Sequence, residues 1–144
     1  MTSLLFFALT AQVQHQQHPP RDAAEYARIL ESSDRDEWQK PHEVIQALQL
    51  RGDEVVADIG AGSGYFTRRF ARHAARVFAV DIDPKLLDMA KKGAPPNVAT
   101  ILALPDNPRL PRASVDTIFF CDVIHHIENR PAYYARLKEA LKPG

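Results

Sequence analysis

The stretch Val55-Val56-Ala57-Asp58-Ile59-Gly60-Ala61-Gly62-Ser63-Gly64-Tyr65-Phe66 decides how this chain is read. Val55 to Ile59 is a short apolar run of the kind that forms a strand buried on both faces. Three alternate glycines follow, and then a helical pattern that runs from Tyr65 to His73 with Phe66 and Phe70 facing inward. Alternate glycines let the backbone turn sharply and approach a ligand with no Cβ in the way. A side chain on Gly62 would fill room that such a ligand needs. The helix that follows should offer free N–H groups at its start. Glycines at such a turn can serve packing alone, but three of them beside a strand-terminal acid, Asp58, point to a ligand.

Outward from this turn the pattern alternates. Arg21 to Glu31 reads as a helix, broken by Ser32 to Asp36; Pro41 opens another, with Val44, Ile45 and Leu48 at helical spacing. Downstream, Arg76 to Val80 is a second strand ending at Asp81, and Asp83-Pro84 caps and starts a helix that stops at Gly93. Val98 to Leu102 is a third strand and Val115 to Cys121 a fourth. Pro105 to Arg112 is a proline-rich loop, and Pro131 to Leu141 is the last helix. Strands and helices in this order predict an α/β fold, a Rossmann-like, doubly wound parallel sheet with helices on both faces. Ligands of such sheets bind beyond the carboxyl ends of the strands.

Composition narrows the function. The chain has 144 residues, 18 basic against 18 acidic, and 45% hydrophobic residues. That is one domain of ordinary soluble type, without the basic footprint of a general nucleic-acid binder. A single cysteine, Cys121, excludes a disulfide framework and a multi-thiolate metal site. No apolar run is long enough to span a bilayer as a helix. Residues 1–20 stand apart: Leu4 to Leu9 resembles the apolar part of a secretory signal but lacks a basic leader, and a solvated tail is the equal alternative. His15 and His18 suit such a tail better than a metal site, and no metal is expected. Residues 21–144 are the domain.

Two phosphate-binding readings of the glycine turn fail. In a Gly-x-Gly-x-x-Gly dinucleotide fingerprint the third glycine would fall on Tyr65 or Thr67. No Gly-Lys-Ser/Thr of a Walker loop occurs either. An acid before the loop suits a cationic group better than a pyrophosphate. Asp81, ending its strand, has the position from which a carboxylate accepts hydrogen bonds from both hydroxyls of a ribose, with Ile82 against the base. Asp83 is read as a helix cap.

These motifs resemble the class I S-adenosylmethionine-dependent methyltransferases. The resemblance covers about Trp38 to Gly144 and includes Val56 to Phe66, Val80-Asp81-Ile82-Asp83, Ser114 to Ile118 with Cys121 to Ile127, and Leu141-Lys142-Pro143-Gly144. It is nearest to the small-molecule type of ubiquinone and menaquinone biosynthesis. It implies S-adenosylmethionine as cofactor. Asp58 with Gly60, Ala61, Gly62 and Gly64 of the turn would hold the methionine part, and Asp81 with Ile82 the nucleoside. Asp106 would take the adenine amino group or else serve its own turn, with Leu104 as an apolar wall. Asp122 would lie near the sulfonium and the acceptor. His125 and His126 are either packing residues or a general base for the acceptor proton. Tyr65 and Trp38 are expected in pocket walls or core.

The acceptor is expected to be a small molecule, because the Asp/Asn-Pro-Pro-aromatic motif of nucleic-acid amino methyltransferases is absent from Cys121-Asp122-Val123-Ile124. The family's strand order is 3-2-1-4-5-7-6, and the chain stops before the fifth strand. A non-catalytic nucleoside-binding fragment that needs a partner chain is therefore the alternative, and an NAD-dependent oxidoreductase a further one. An open edge at Val115, Ile118, Phe119 and Phe120 would favour self-association. The cofactor argues for the cytoplasm.

Overall fold

The computed structural model describes residues 22–144. The signal-like run, His15 and His18 lie outside the described residues. Three short helices come first: α1 (Ala23–Leu30), α2 (Arg35–Gln39) and α3 (Pro41–Leu48). Then follow β1 (Val55–Ile59), α4 (Tyr65–Phe70), β2 (Arg76–Asp81), α5 (Pro84–Lys91), β3 (Val98–Leu102), β4 (Thr117–Phe120) and α6 (Arg130–Ala140). The caps are local chemistry. Asp22, Asp83 and Asn129 accept hydrogen bonds from the first-turn amides of α1, α5 and α6. Pro41, Pro84 and Pro131 stand in first turns, where a missing N–H costs nothing.

The four strands form one parallel sheet in the order β3-β2-β1-β4. Both faces are covered. Val56, Phe66, Phe70, Val77, Leu87 and Val98 are buried on one face together with α4 and α5. Ala57, Ile59, Phe78, Val80, Tyr133 and Leu137 are buried on the other beneath α6. Phe66 and Phe70 both meet Phe119 of β4, with ring centroids 4.8 and 4.9 Å apart, and so fasten α4 to that strand.

The sheet matches expectation, and several boundaries move. Arg35–Gln39, with Arg35 and Asp36 within the expected break and Glu37, Trp38 and Gln39 beyond it, is a helix of its own. It is closed by Lys40 in the left-handed region, where Pro41 starts α3. Helix α4 ends at Phe70 rather than His73. β4 begins at Thr117, not Val115, because Val115 makes an isolated parallel bridge with Leu141. Val115 is fully buried there, while Ile118, Phe119 and Phe120 are half-buried. The open edge is therefore shorter than the sequence suggests. Asp116 fixes this corner by accepting from Val55 N at 2.8 Å and Lys142 Nζ at 2.7 Å. The lysine bond holds the Asp116 carboxyl below its ordinary range.

Candidate functional site

The turn after β1 passes from Ile59 into α4, with Gly60 at φ +71° and Gly62 at φ +56°. Both angles lie in the left-handed region that favours glycine. A Cβ on Gly60 would stand 2.5 Å from Val123 Cγ2, in the segment after β4. Gly60 is thus required by packing as well as conformation. Gly60→Ala is expected to lower unfolding free energy by about 2 kcal/mol, read by urea denaturation. A Cβ on Gly62 does not point into open ligand space as expected. It points at Leu30 Cδ1, 2.9 Å away on α1.

Hydrogen bonding inside the turn decides what it offers. The amides of Gly60 and Ala61 both donate to Val80 O, that of Gly64 to Ala61 O, and that of Gly62 to Asp81 Oδ2 at 2.8 Å. Four amides of the turn are therefore engaged within the fold, and so are the carbonyls of Ala61, Ser63 and Gly64, which accept from Gly64 N, Arg68 Nη1 and Arg68 N. With four of its amides engaged, the turn suits an ammonium group better than a phosphate.

Asp58 and Asp81 end adjacent strands and differ in environment. Asp58 is 2% exposed and accepts from Thr67 Oγ1 of α4 at 2.7 Å. Burial pushes its pKa up to about 6; the Thr67 bond opposes the shift and the Asp81 charge adds to it. Asp81 lies half-buried at the mouth, one oxygen accepting from Gly62 N and the other from Asp83 N at 3.0 Å. Each carboxylate oxygen keeps a further lone pair for a ligand hydroxyl. Asp83 caps α5 as expected. Ile82 is 60% exposed beside Asp81, an unusual place for its apolar surface.

After β3, Leu104 and Asn107 bridge a tight turn with Asp106 exposed at its tip. Backbone bonds between Leu104 and Asn107, and Asn107 Oδ1 accepting from Arg109 N, hold this turn. Asp106 takes no part in them. After β4, Asp122 has φ +54° and accepts from Gln39 Nε2 at 3.1 Å. Cys121 Sγ lies 3.3 Å from Gln39 Oε1, and burial pushes its thiol pKa up. His125 and His126 occupy a single 3-10 turn, Ile124–His126, both exposed, with ring centroids 4.0 Å apart.

Three residues of this site were not singled out from the sequence. Glu31 accepts from Ser63 Oγ at 2.6 Å and from Arg68 Nη2 at 2.7 Å, and so ties the end of α1 to the glycine turn. Gln39 links α2 to the end of β4. Arg35, at the start of α2, is only 8% exposed; its Nη1 donates to Leu30 O at 2.7 Å, and its Nε is buried with no partner. Its guanidinium lies 4.0 Å from the centre of the Tyr65 ring, and that of Arg69 lies 3.9 Å from it. Tyr65 is core, as expected, with its hydroxyl bonded to Asp36. Trp38 is not core, being 64% exposed. A surface concavity lined by Asp22, Lys85, Asp88 and Met89 lies between the start of α1 and α5. Leu30, Arg35 and Gln39 reach over the strand ends. Among the described residues no three His, Cys, Asp or Glu side chains gather where they could hold a metal ion.

Residues 57–144 match the family model described as a methyltransferase domain. The chain is 32% identical over 99 residues to a demethylmenaquinone methyltransferase of Tropheryma whipplei, covering 67% of this chain and 41% of that one. It is 31% identical over 117 residues to a tRNA U34 carboxymethyltransferase of Ruthia magnifica, covering 75% and 36%. The chain thus spans well under half the length of these curated relatives. Among solved structures, a methyltransferase from Aquifex aeolicus superposes with a TM-score of 0.75 at 23% identity, covering 86% of this chain and 69% of that one.

Proposed function

The chain belongs to the class I S-adenosylmethionine-dependent methyltransferase family, and on that premise we propose that it transfers a methyl group from S-adenosylmethionine to a small organic acceptor. The observation that carries this reading is the Asp81 carboxylate at the end of β2, bonded to the Gly62 amide beside a turn four of whose amides are already engaged. A ribose diol and an ammonium group on one ligand answer both features. A dinucleotide pyrophosphate would need amide donors that the turn has already engaged.

The cofactor, when bound, supplies a sulfonium methyl already activated for in-line displacement. Asp81 binds the ribose hydroxyls, Ile82 and Leu104 flank the base, and Asp106 accepts from the adenine amino group. Carbonyls of the Gly60–Gly64 turn accept from the ammonium, with the Asp58 charge beneath them. Asp122 borders the transferring methyl, and His125 or His126 takes the acceptor proton where the acceptor carries one. The protein's main contribution is to hold donor and acceptor in line and exclude water. Residues 21–144 act as one cofactor-binding unit.

The demethylmenaquinone relative supports a small apolar acceptor, and the balance of 18 basic and 18 acidic residues speaks against an RNA one. No helix among the described residues is long and apolar enough to cross a membrane. A cytoplasmic site of action follows from where the cofactor is made. Calorimetric titration of the 144-residue chain with S-adenosylhomocysteine and with NAD tests the reading. Binding of the first alone is expected; binding of NAD alone, or of neither, overturns it.

A further inference from the structure

The glycine turn is covered. Ala61, Gly62, Ser63 and Gly64 are all buried, although the cofactor reading sets this turn against the ligand's amino-acid end. Over Gly62 and Ser63 the cover comes from residues 22–40, the arm that carries α1 and α2. Leu30 Cδ1 stands 2.9 Å from the place of a Cβ on Gly62, and Glu31 accepts from Ser63 Oγ at 2.6 Å. A ligand cannot reach Gly62 and Ser63 while these two side chains occupy that ground.

The arm is attached unlike the rest of the domain. Of its residues only Ala23 and Arg35 are buried, and among the described residues none of the arm's joins the apolar clusters on the two faces of the sheet. By contrast Val44, Ile45 and Leu48 of α3, which follows it, pack against that core. Apart from resting on α5 and laying Arg35 over the Tyr65 ring, the arm is fixed by polar groups. Glu31 pairs with Arg68 at 2.7 Å; Asp36 pairs with Arg69 at 3.0 Å and accepts from the Tyr65 hydroxyl. Arg68 and Arg69 are consecutive on α4, so one helix holds both acids. These four side chains are between 28% and 54% exposed, and pairs so open to water break and remake readily. Further along, Gln39 Nε2 donates to Asp122 Oδ2. Lys40, at φ +46° between α2 and α3, is the joint. Polar attachment over a buried turn, with a joint at one end, is the build of a lid. Resting on the cofactor reading above, we propose that residues 22–40 are a lid with an electrostatic latch: Glu31 and Asp36 leave Arg68 and Arg69 before the cofactor can enter or depart. Closing returns Gln39 to Asp122, so the movement that encloses the cofactor also sets the residue placed beside the methyl.

Trp38, the one tryptophan of the sequence, rides on this arm 64% exposed and reports its movement by fluorescence. S-adenosylhomocysteine is mixed with the chain in a stopped-flow instrument. The rate of the Trp38 signal is expected to level off as ligand is raised, at the rate of latch opening. Glu31→Gln keeps an acceptor for Ser63 but loses the charge pair, and should raise that plateau about threefold. Asp36→Asn should do the same, and the two together about tenfold. Glu139→Gln, which releases Arg112 by the same change on α6, should leave the plateau where it is. A rate that climbs in proportion to ligand overturns the lid. So does a plateau that neither latch variant moves, or that Glu139→Gln moves as far. Where Trp38 gives no signal, hydrogen exchange decides: bound ligand is expected to slow exchange in α1 and α2 by at least about tenfold. Equal exchange there with and without ligand overturns the proposal. These outcomes leave the cofactor reading intact when calorimetry shows that S-adenosylhomocysteine binds; a chain that does not bind it overturns that reading and the lid together.

Discussion

Alanine at position 81 is expected to weaken S-adenosylhomocysteine binding by at least a hundredfold, measured by calorimetric titration on a chain that still melts cooperatively. Two hydrogen bonds from ribose hydroxyls to a carboxylate are lost, each worth about 1.5–3 kcal/mol, and about 1.4 kcal/mol is tenfold in affinity. The structure adds a second loss. Asp81 Oδ2 holds the Gly62 amide at 2.8 Å and Oδ1 the Asp83 amide at 3.0 Å, so the same carboxylate sets the glycine turn and the entry to α5. Asparagine is not a conservative replacement here. Both oxygens face backbone N–H donors, and an NH2 in either place would oppose one of them. Asp81→Asn should therefore bind nearly as poorly as Asp81→Ala. An asparagine variant with wild-type affinity would mean that the carboxylate faces something other than the ribose.

The parallel sheet was legible because its signals are local and agree. Apolar runs at Val55–Ile59 and Arg76–Val80, the glycine turn and the Asp83-Pro84 cap each identify one element, and their alternation leaves little choice of topology. What escaped has no local signature. Arg35–Gln39 is a five-residue helix that carries Trp38 outward, so no apolar stripe marks it. Arg35 looks like any surface arginine until Leu30, Tyr65 and Phe66 are seen to enclose it. The direction of Gly62 is likewise settled by α1, some thirty residues upstream, and not by the turn itself. Charges were legible as residue types. Their partners, Thr67 for Asp58 and Gln39 for Asp122, come from other elements and required the fold.

Asp58→Asn is expected to make the ligand-free chain more stable and the site weaker. Burial raises the Asp58 pKa from an ordinary 3.8 to about 6, so between those values the folded chain binds more protons than the unfolded one. Stability therefore falls as pH rises through that window, and above it the ionised side chain costs a constant amount, up to about 3 kcal/mol at 1.36 kcal/mol per pKa unit. Asparagine removes the charge and can still accept the Thr67 hydroxyl that now bonds Oδ2 at 2.7 Å. Urea unfolding at pH 7.5 should show the variant more stable by about 1–3 kcal/mol, and the gap should nearly vanish at pH 4. Affinity for S-adenosylhomocysteine should move the other way, by more than about tenfold, because the ammonium loses the negative charge beneath the glycine turn. A buried carboxylate that burdens the empty fold is expected where a cation later arrives to neutralise it. Equal stability of the two proteins across the pH range would mean that Asp58 is not ionised at a cost. The raised pKa would then be no sign of a site.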